Sequence, residues 1–232
     1  MNGPALISLS PWDLALAATL VLALAATAAH QGLALQRPLL VAALRTALQL
    51  TLIGLVLEAL FGHVHLAWVA LLAGVMLLVA GYEVRSRQRR PLRGAWGYGT
   101  GTLAMFLSAF SVTVLALTVL IDARPWYAPQ YAIPLLGMLL GNTMTGVALA
   151  LDRVTQGAWE QRAVIEGRLM LGADWRAATE PLRREAARSG LMPIINAMAA
   201  AGVVSLPGMM TGQILAGAPP MEAVKYQILI MF

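Results

Sequence analysis

Arg45 and Gln49 stand four residues apart inside an apolar run, so on a helix they share one face. A charge at membrane depth costs roughly 2.5–3.5 kcal/mol or more, and such groups are candidates to line a polar path. Arg45 lies only about 9 Å along the helix axis from the end of its run at Leu39, close enough for its guanidinium to snorkel to the surface instead. A second candidate is SLPGMMTGQ, Ser205 to Gln213. There Pro207 removes an amide and Gly208 loosens the chain, which predicts a helix broken at membrane depth. Freed backbone groups at such a break, with Asn196, Ser205, Thr211 and Gln213 nearby, can face a cavity, although Pro and Gly in membrane helices also serve plain packing. A third group, Asn142, Thr143 and Thr145, follows Gly137 and Gly141, whose spacing, like that of Gly208 and Gly212, lets helices approach closely. These residues can bond across a helix contact or face a translocation path.

Several chemistries are excluded by residue type. A phosphate-cradling loop of the G-x-x-x-x-G-K-[ST] kind needs a Lys, and the single Lys of the chain, Lys225, stands between Val224 and Tyr226. Any ATP is therefore used by another chain. The sequence has no Cys, which removes thiolate metal sites and Cys nucleophiles. Asp13, Asp122, Asp152 and Asp174 all fall at the ends of apolar runs or in loops, so no pair of membrane-depth carboxylates is available for intramembrane hydrolysis. For a hard metal ion the runs offer mainly Glu58 and His30, with His63 and His65 in a short loop. Met138, Met144, Met198, Met209 and Met210 are soft donors that core packing explains as readily, so no metal ligand set is assigned.

The elements that must position these groups are membrane helices. Of 232 residues, 59% are hydrophobic and 12% charged, a composition for which lipid is the expected solvent. Runs of about 20 apolar residues span the hydrocarbon core as helices. Six occur, near Leu14–Leu35, Leu39–Leu60, Leu66–Tyr82, Thr100–Ile121, Tyr131–Leu151 and Leu191–Leu215. A seventh begins near Val224 and is cut off at Phe232. The expected fold is an all-α integral membrane protein of about seven transmembrane helices forming one permease-sized domain, residues 1–232. The basic residues cluster after the first run (Arg37), the third (Arg85, Arg87, Arg89, Arg90, Arg93) and the fifth, which places those loops in the cytoplasm and the N-terminus outside. The basic total thus reflects membrane orientation and not nucleic-acid binding.

The one long polar segment, residues 152–189, carries seven Arg against six acidic residues. Arg162 with Glu166 and Glu180 with Arg184 have helical pair spacing, and Gly172 followed by Asp174 reads as the end of one helix and the cap of the next. A helix-turn-helix insertion on the cytoplasmic side is predicted.

EGRLMLGA, Glu166 to Ala173, with Leu182 beyond, resembles the coupling loop of ABC permeases, in which a Glu is followed six positions on by Gly and ten further by an apolar residue. Here Gly167 and Arg168 replace the family's two Ala, and Arg184 and Glu185 replace its Leu-Pro ending. More widely, RTALQL from Arg45, PLLGMLLGNTMTG from Pro134, PIINAM from Pro193, VSLPGMMTGQIL from Val204 and VKYQI from Val224 resemble the FetB-type metal-export permeases, whose plant relatives are aluminium-tolerance membrane proteins. The resemblance implies a multi-pass permease of the bacterial inner membrane that dimerises and exports iron, with a link to oxidative stress resistance. It also implies a cytosolic ATPase partner that binds ATP and Mg and docks on the loop containing Arg162, Glu166, Gly172, Ala173 and Leu182. No cofactor is expected in this chain. A non-metal cargo such as a nucleotide sugar, or a stand-alone secondary transporter, are the alternatives; the scarcity of acids within the runs counts against the latter.

Overall fold

The computed structural model describes residues 10–62 and 64–232, and among them no strand forms. The chain falls into two compact units, one holding the first two helices with Leu215–Gly217, the other Val64–Ile214 and Ala218–Phe232.

The first unit is a helical hairpin of α1 (Pro11–His30) and α2 (Gln36–Gly62). Ser10 opens α1 with a capping box: the Asp13 amide donates to Ser10 Oγ, and the Ser10 amide donates to Asp13 Oδ2 at 2.8 Å. The hydroxyls of Thr19, Thr27 and Thr51 donate to the carbonyls of Leu16, Leu24 and Ala47, so each is satisfied without water. None of the most apolar stretch of α2 is buried within the protein. An outward face of Leu44, Leu48, Leu52 and Leu55 would be untenable in water and is ordinary against lipid.

In the second unit, α3 (Leu66–Ser86), α4 (Trp96–Leu120) and α5 (Pro129–Glu160) pack round a core of Val84, Met105, Ala109, Leu136 and Leu140. Tyr98 Oη ties α4 to α3 by donating to the Leu78 carbonyl at 2.8 Å. Helix α4 widens into π turns at Phe106–Phe110 and Ala116–Leu120. Ser108, Thr113 and Thr118 all donate to the carbonyl four residues back, a competition with the helix ladder that bends helices.

Helix α5 has 32 residues, about 48 Å at 1.5 Å per residue, against a hydrocarbon core of roughly 30 Å. Its final residues from Asp152 on therefore project as a shaft beyond the apolar layer. α6 (Arg162–Met170) turns back, and α7 (Trp175–Ala200) runs down the shaft and along α5. The two long helices touch where Gly146 meets Gly190: a Cβ on Gly146 would stand 2.7 Å from the Gly190 carbonyl oxygen, and one on Gly190 2.8 Å from that of Gly146. Packing was expected at Gly137, Gly141 and Thr145, and at Gly208 and Gly212. Only Gly137 among these glycines has a neighbour, Met76 Cε, at 3.2 Å from its would-be Cβ; Gly141, Gly208 and Gly212 face open space among the described residues.

Five of the described helices, α1 to α5, are long and apolar enough to cross a membrane. The sixth run is no single helix. α7 stops at Ala200, residues 201–207 are irregular, and α8 (Gly208–Leu215) resumes; the seventh run is α9 (Pro220–Met231). The break predicted at Pro207 exists but starts earlier, where Ala201 is extended and Gly202 takes φ +80°, a left-handed conformation that Gly adopts readily.

Candidate functional site

The polar hairpin of α6 and the start of α7 is built on the α5 shaft by contacts that cross long stretches of sequence. Arg153 pairs with Glu185 at its base, and Leu182, 4% exposed, fills the place that a side chain on Gly157 would take. Ala178 and Ala186 are buried on the same face of α7. A second anchor comes from the loop after α3. The Arg89 amide donates to Asp152 Oδ1 at 2.8 Å, and the Arg90 guanidinium lies 4.2 Å over the Trp159 ring. The shaft is thus strapped to α3 as well as to α7.

On α6, Arg162 Nε donates to Glu166 Oε1 at 2.6 Å. That hydrogen bond, with the attraction of the carboxylate, raises the Arg162 guanidinium above its usual pKa. The turn follows the expected chemistry: Gly172 takes φ +89°, the Ala173 amide returns to the Arg168 carbonyl at 3.0 Å, and Asp174 Oδ1 caps α7 by accepting from the Ala177 amide at 2.7 Å. Arg168 Nη1 donates to the Ala178 carbonyl across the two helices at 3.3 Å. What this rigid turn holds outward is apolar. Met170 is 88% and Leu171 90% exposed, with Trp175 beside them. Large side chains this bare at the apex of a braced hairpin form a knob with nothing of the described chain to fill it.

The structure separates the residues predicted for the hairpin into two roles. Arg162, Glu166 and Gly172 lie outside, Ala173 is half-buried, and Leu182 is turned inward as the anchor against Gly157. Met170, Leu171 and Trp175 were missed as surface features. Their signal was present, since an apolar pair directly before a chain-reversing Gly has no interior to reach.

The residues predicted for a path lie on several helices. Arg45 and Gln49 sit on the outer face of α2 in the first unit. In the second, Asn142 lines a groove of about 490 Å³ between α5 and α7 with Thr143, Gly146, Gly190, Pro193 and Ile194. Thr143 and Thr145 turn their hydroxyls back to the carbonyls of Leu139 and Gly141, while Asn196 is exposed one turn beyond the groove on α7. At the break, the Gly202 amide donates to the Ser205 carbonyl at 2.9 Å and the Ser205 amide to the Ala200 carbonyl at 3.1 Å, so the irregular stretch satisfies part of its own backbone. Ser205 is exposed and Pro207 half-buried; Gln213, in α8, has a buried Oε1 with no partner among the described residues. Among the described residues no three of His, Cys, Asp and Glu gather where they could hold a metal ion. His65 caps α3, its Nδ1 accepting from the Ala67 amide at 3.2 Å; His63 lies outside the described residues.

Apolar spanning helices, a broken helix and a braced polar hairpin define a multi-pass membrane protein. The chain belongs to the uncharacterised protein family UPF0014, which it matches over residues 11–232. It is 42% identical over 204 residues to the UPF0014 membrane protein slr1647 of Synechocystis, covering 87% of this chain and 77% of that one. It is 36% identical over 201 residues to the Protein ALUMINUM SENSITIVE 3 of Arabidopsis thaliana (87% and 71%). Identity to the Probable iron export permease protein FetB of Escherichia coli is 33% over 221 residues (95% and 83%). No solved structure matches the chain.

Proposed function

We propose that this chain is the membrane permease subunit of an ABC transporter that exports a metal ion, iron foremost, and that the hairpin couples it to a separate ATPase. The observation that carries the reading is the bare Met170–Leu171 apex on a hairpin braced by Arg153–Glu185 and by Leu182 against Gly157. A knob that moves as one body with α5 and α7 can pass a partner's closure into the membrane; a loosely hung loop would absorb it. The chain contains no phosphate-binding loop, so the energy must come from outside it. A metal cargo is supported by two relatives whose names each refer to a metal.

In this reading the hairpin is cytoplasmic, the N-terminus outside, and two copies enclose the pathway, since Asn142 and Asn196 of one copy are exposed at membrane depth. An Asn side chain left in hydrocarbon is costly, and a second copy facing the α5–α7 groove removes that cost. The iron ion crosses as cargo, meeting amide and hydroxyl oxygens and freed carbonyls near the break, without a resident ligand cluster.

The test is to purify the tagged chain from its own membranes and look for a P-loop ATPase subunit at stoichiometric ratio. The wild type retains it, and Met170→Glu/Leu171→Glu, which changes only exposed positions, loses it. Absence of any ATPase from a well-folded wild-type preparation overturns the reading.

A further inference from the structure

The apex of the hairpin is not only apolar. Arg176 and Arg183 lie seven residues apart on α7, two turns on one face, and both guanidiniums stand over the Trp175 ring, at 5.3 and 5.9 Å from its centre. With Arg184 and Glu180 they line an open groove of about 560 Å³ that runs from the apex along α7. Charge in this groove does not balance. Glu180 is taken by Arg184, at 2.5 Å, Glu185 by Arg153, and Asp174 spends a carboxylate oxygen on the cap of α7. Among the described residues neither Arg176 nor Arg183 meets a carboxylate. Cation–π attraction to an indole holds a guanidinium in place without using up its N–H donors, which remain suited to capture of a carboxylate.

We propose that the apex is a two-part recognition surface for an apolar cleft with an acidic rim on a soluble protein: Met170 and Leu171 enter the cleft, and Arg176 and Arg183 meet carboxylates on its edge. That the soluble protein is the ATPase rests on the function proposed above; the chemistry of the cleft is read from this surface alone. An anionic lipid surface, the other natural partner for Arg beside Trp and Leu, is out of reach of the apex itself, although Arg183, about 3 Å along α7 from Glu185, stands at headgroup height. The Arg153–Glu185 pair stands at the first charged residues after the apolar run of α5, and Trp175 lies ten residues further along α7. That is about 15 Å at 1.5 Å per residue, whereas headgroups add only about 5–7 Å per leaflet to the hydrocarbon core. The apex therefore clears the membrane. Rim charges of this kind act mainly on encounter rate and on salt dependence, while the buried knob holds the complex.

The experiment measures binding of the ATPase subunit, purified from the complex above, to this chain in nanodiscs of neutral lipid across a NaCl series. Wild-type affinity falls steeply with salt. Arg176→Glu/Arg183→Glu binds at least about tenfold more weakly at low salt and shows a flattened salt slope, while Met170→Ser/Leu171→Ser weakens binding at every salt and keeps the slope. All four positions are exposed, and unchanged melting temperatures confirm intact folds. Wild-type binding that survives the charge reversal with its salt slope intact overturns this inference and leaves the ABC reading standing. A wild-type chain whose hairpin region, followed by Trp175 fluorescence, responds to anionic vesicles and not to the ATPase subunit overturns this inference and removes the hairpin's coupling role with it. Failure of the wild type to bind the ATPase at any salt removes the ABC reading and this inference with it.

Discussion

Leu171 and Leu182 are the same residue type eleven positions apart, and their surroundings give them opposite duties. Leu182 is buried against Gly157 and Leu171 is bare. Leu182→Ala therefore costs about 2–5 kcal/mol through lost burial and the cavity left behind, read as a lowered melting temperature in detergent. Leu171→Ala leaves melting unchanged and weakens only the association with the ATPase. Gly190→Val sits between these cases. Its Cβ would stand 2.8 Å from a carbonyl oxygen, so α5 and α7 must separate, at roughly 1–3 kcal/mol for an overpacked contact; gentle warming should expose the loss. At this scale the sequence was readable wherever partners are local. Arg162 with Glu166, Gly172 as the reversal and Asp174 as the cap follow from spacings of a few residues. The pairs Arg153–Glu185, 32 apart, and Arg89–Asp152, 63 apart, could not be read, because nothing in a single chain's pattern reports which helices become neighbours.

Among the elements, the break between α7 and α8 and the shaft of α5 determine what the membrane part can do. Pro207 was the legible sign of the break, yet the chain leaves helical geometry at Ala201 and turns on Gly202. Proline marks a missing donor and so is visible in sequence; a Gly among Ala and Val looks like packing until its φ is known. Gly202→Val, which must hold a β-branched residue at φ +80°, is expected to reduce transport more than Pro207→Ala does, with vesicle efflux as the readout. The absence of Cys makes accessibility a clean probe. A single Cys at Ser205 is expected to react with a polar maleimide if the break faces a water-filled cavity, whereas one at Leu48, on the lipid-facing side of α2, stays protected. Equal protection at both positions would contradict a cavity at the break. The apolar run ends near Leu151 and the polar segment from Asp152 reads in the sequence as a separate helical insertion; in the structure α5 runs through that boundary to Glu160, since helix propagation needs no hydrophobicity once a tertiary strap supports it.

For the whole molecule, the apolar runs anticipated the helices closely, because lipid demands length and uniform apolarity and both are written in composition. The sixth and seventh runs departed from simple spans, since local backbone chemistry at Gly202 and Pro207 overrides hydropathy there. Orientation is a property of the entire chain. Single Cys residues at Ser86 and Ser189 in the Cys-less background are expected to label only from the cytoplasmic side of sealed vesicles, and labelling of either from outside would invert the assignment.

The most direct test of the account is iron movement in inside-out vesicles holding this chain and its ATPase subunit. ATP-dependent accumulation of iron in the lumen, absent without the chain and lost in Leu171→Glu while the ATPase still hydrolyses ATP, is the predicted result. Iron movement by the chain alone, driven by an ion gradient and indifferent to ATP, would contradict it.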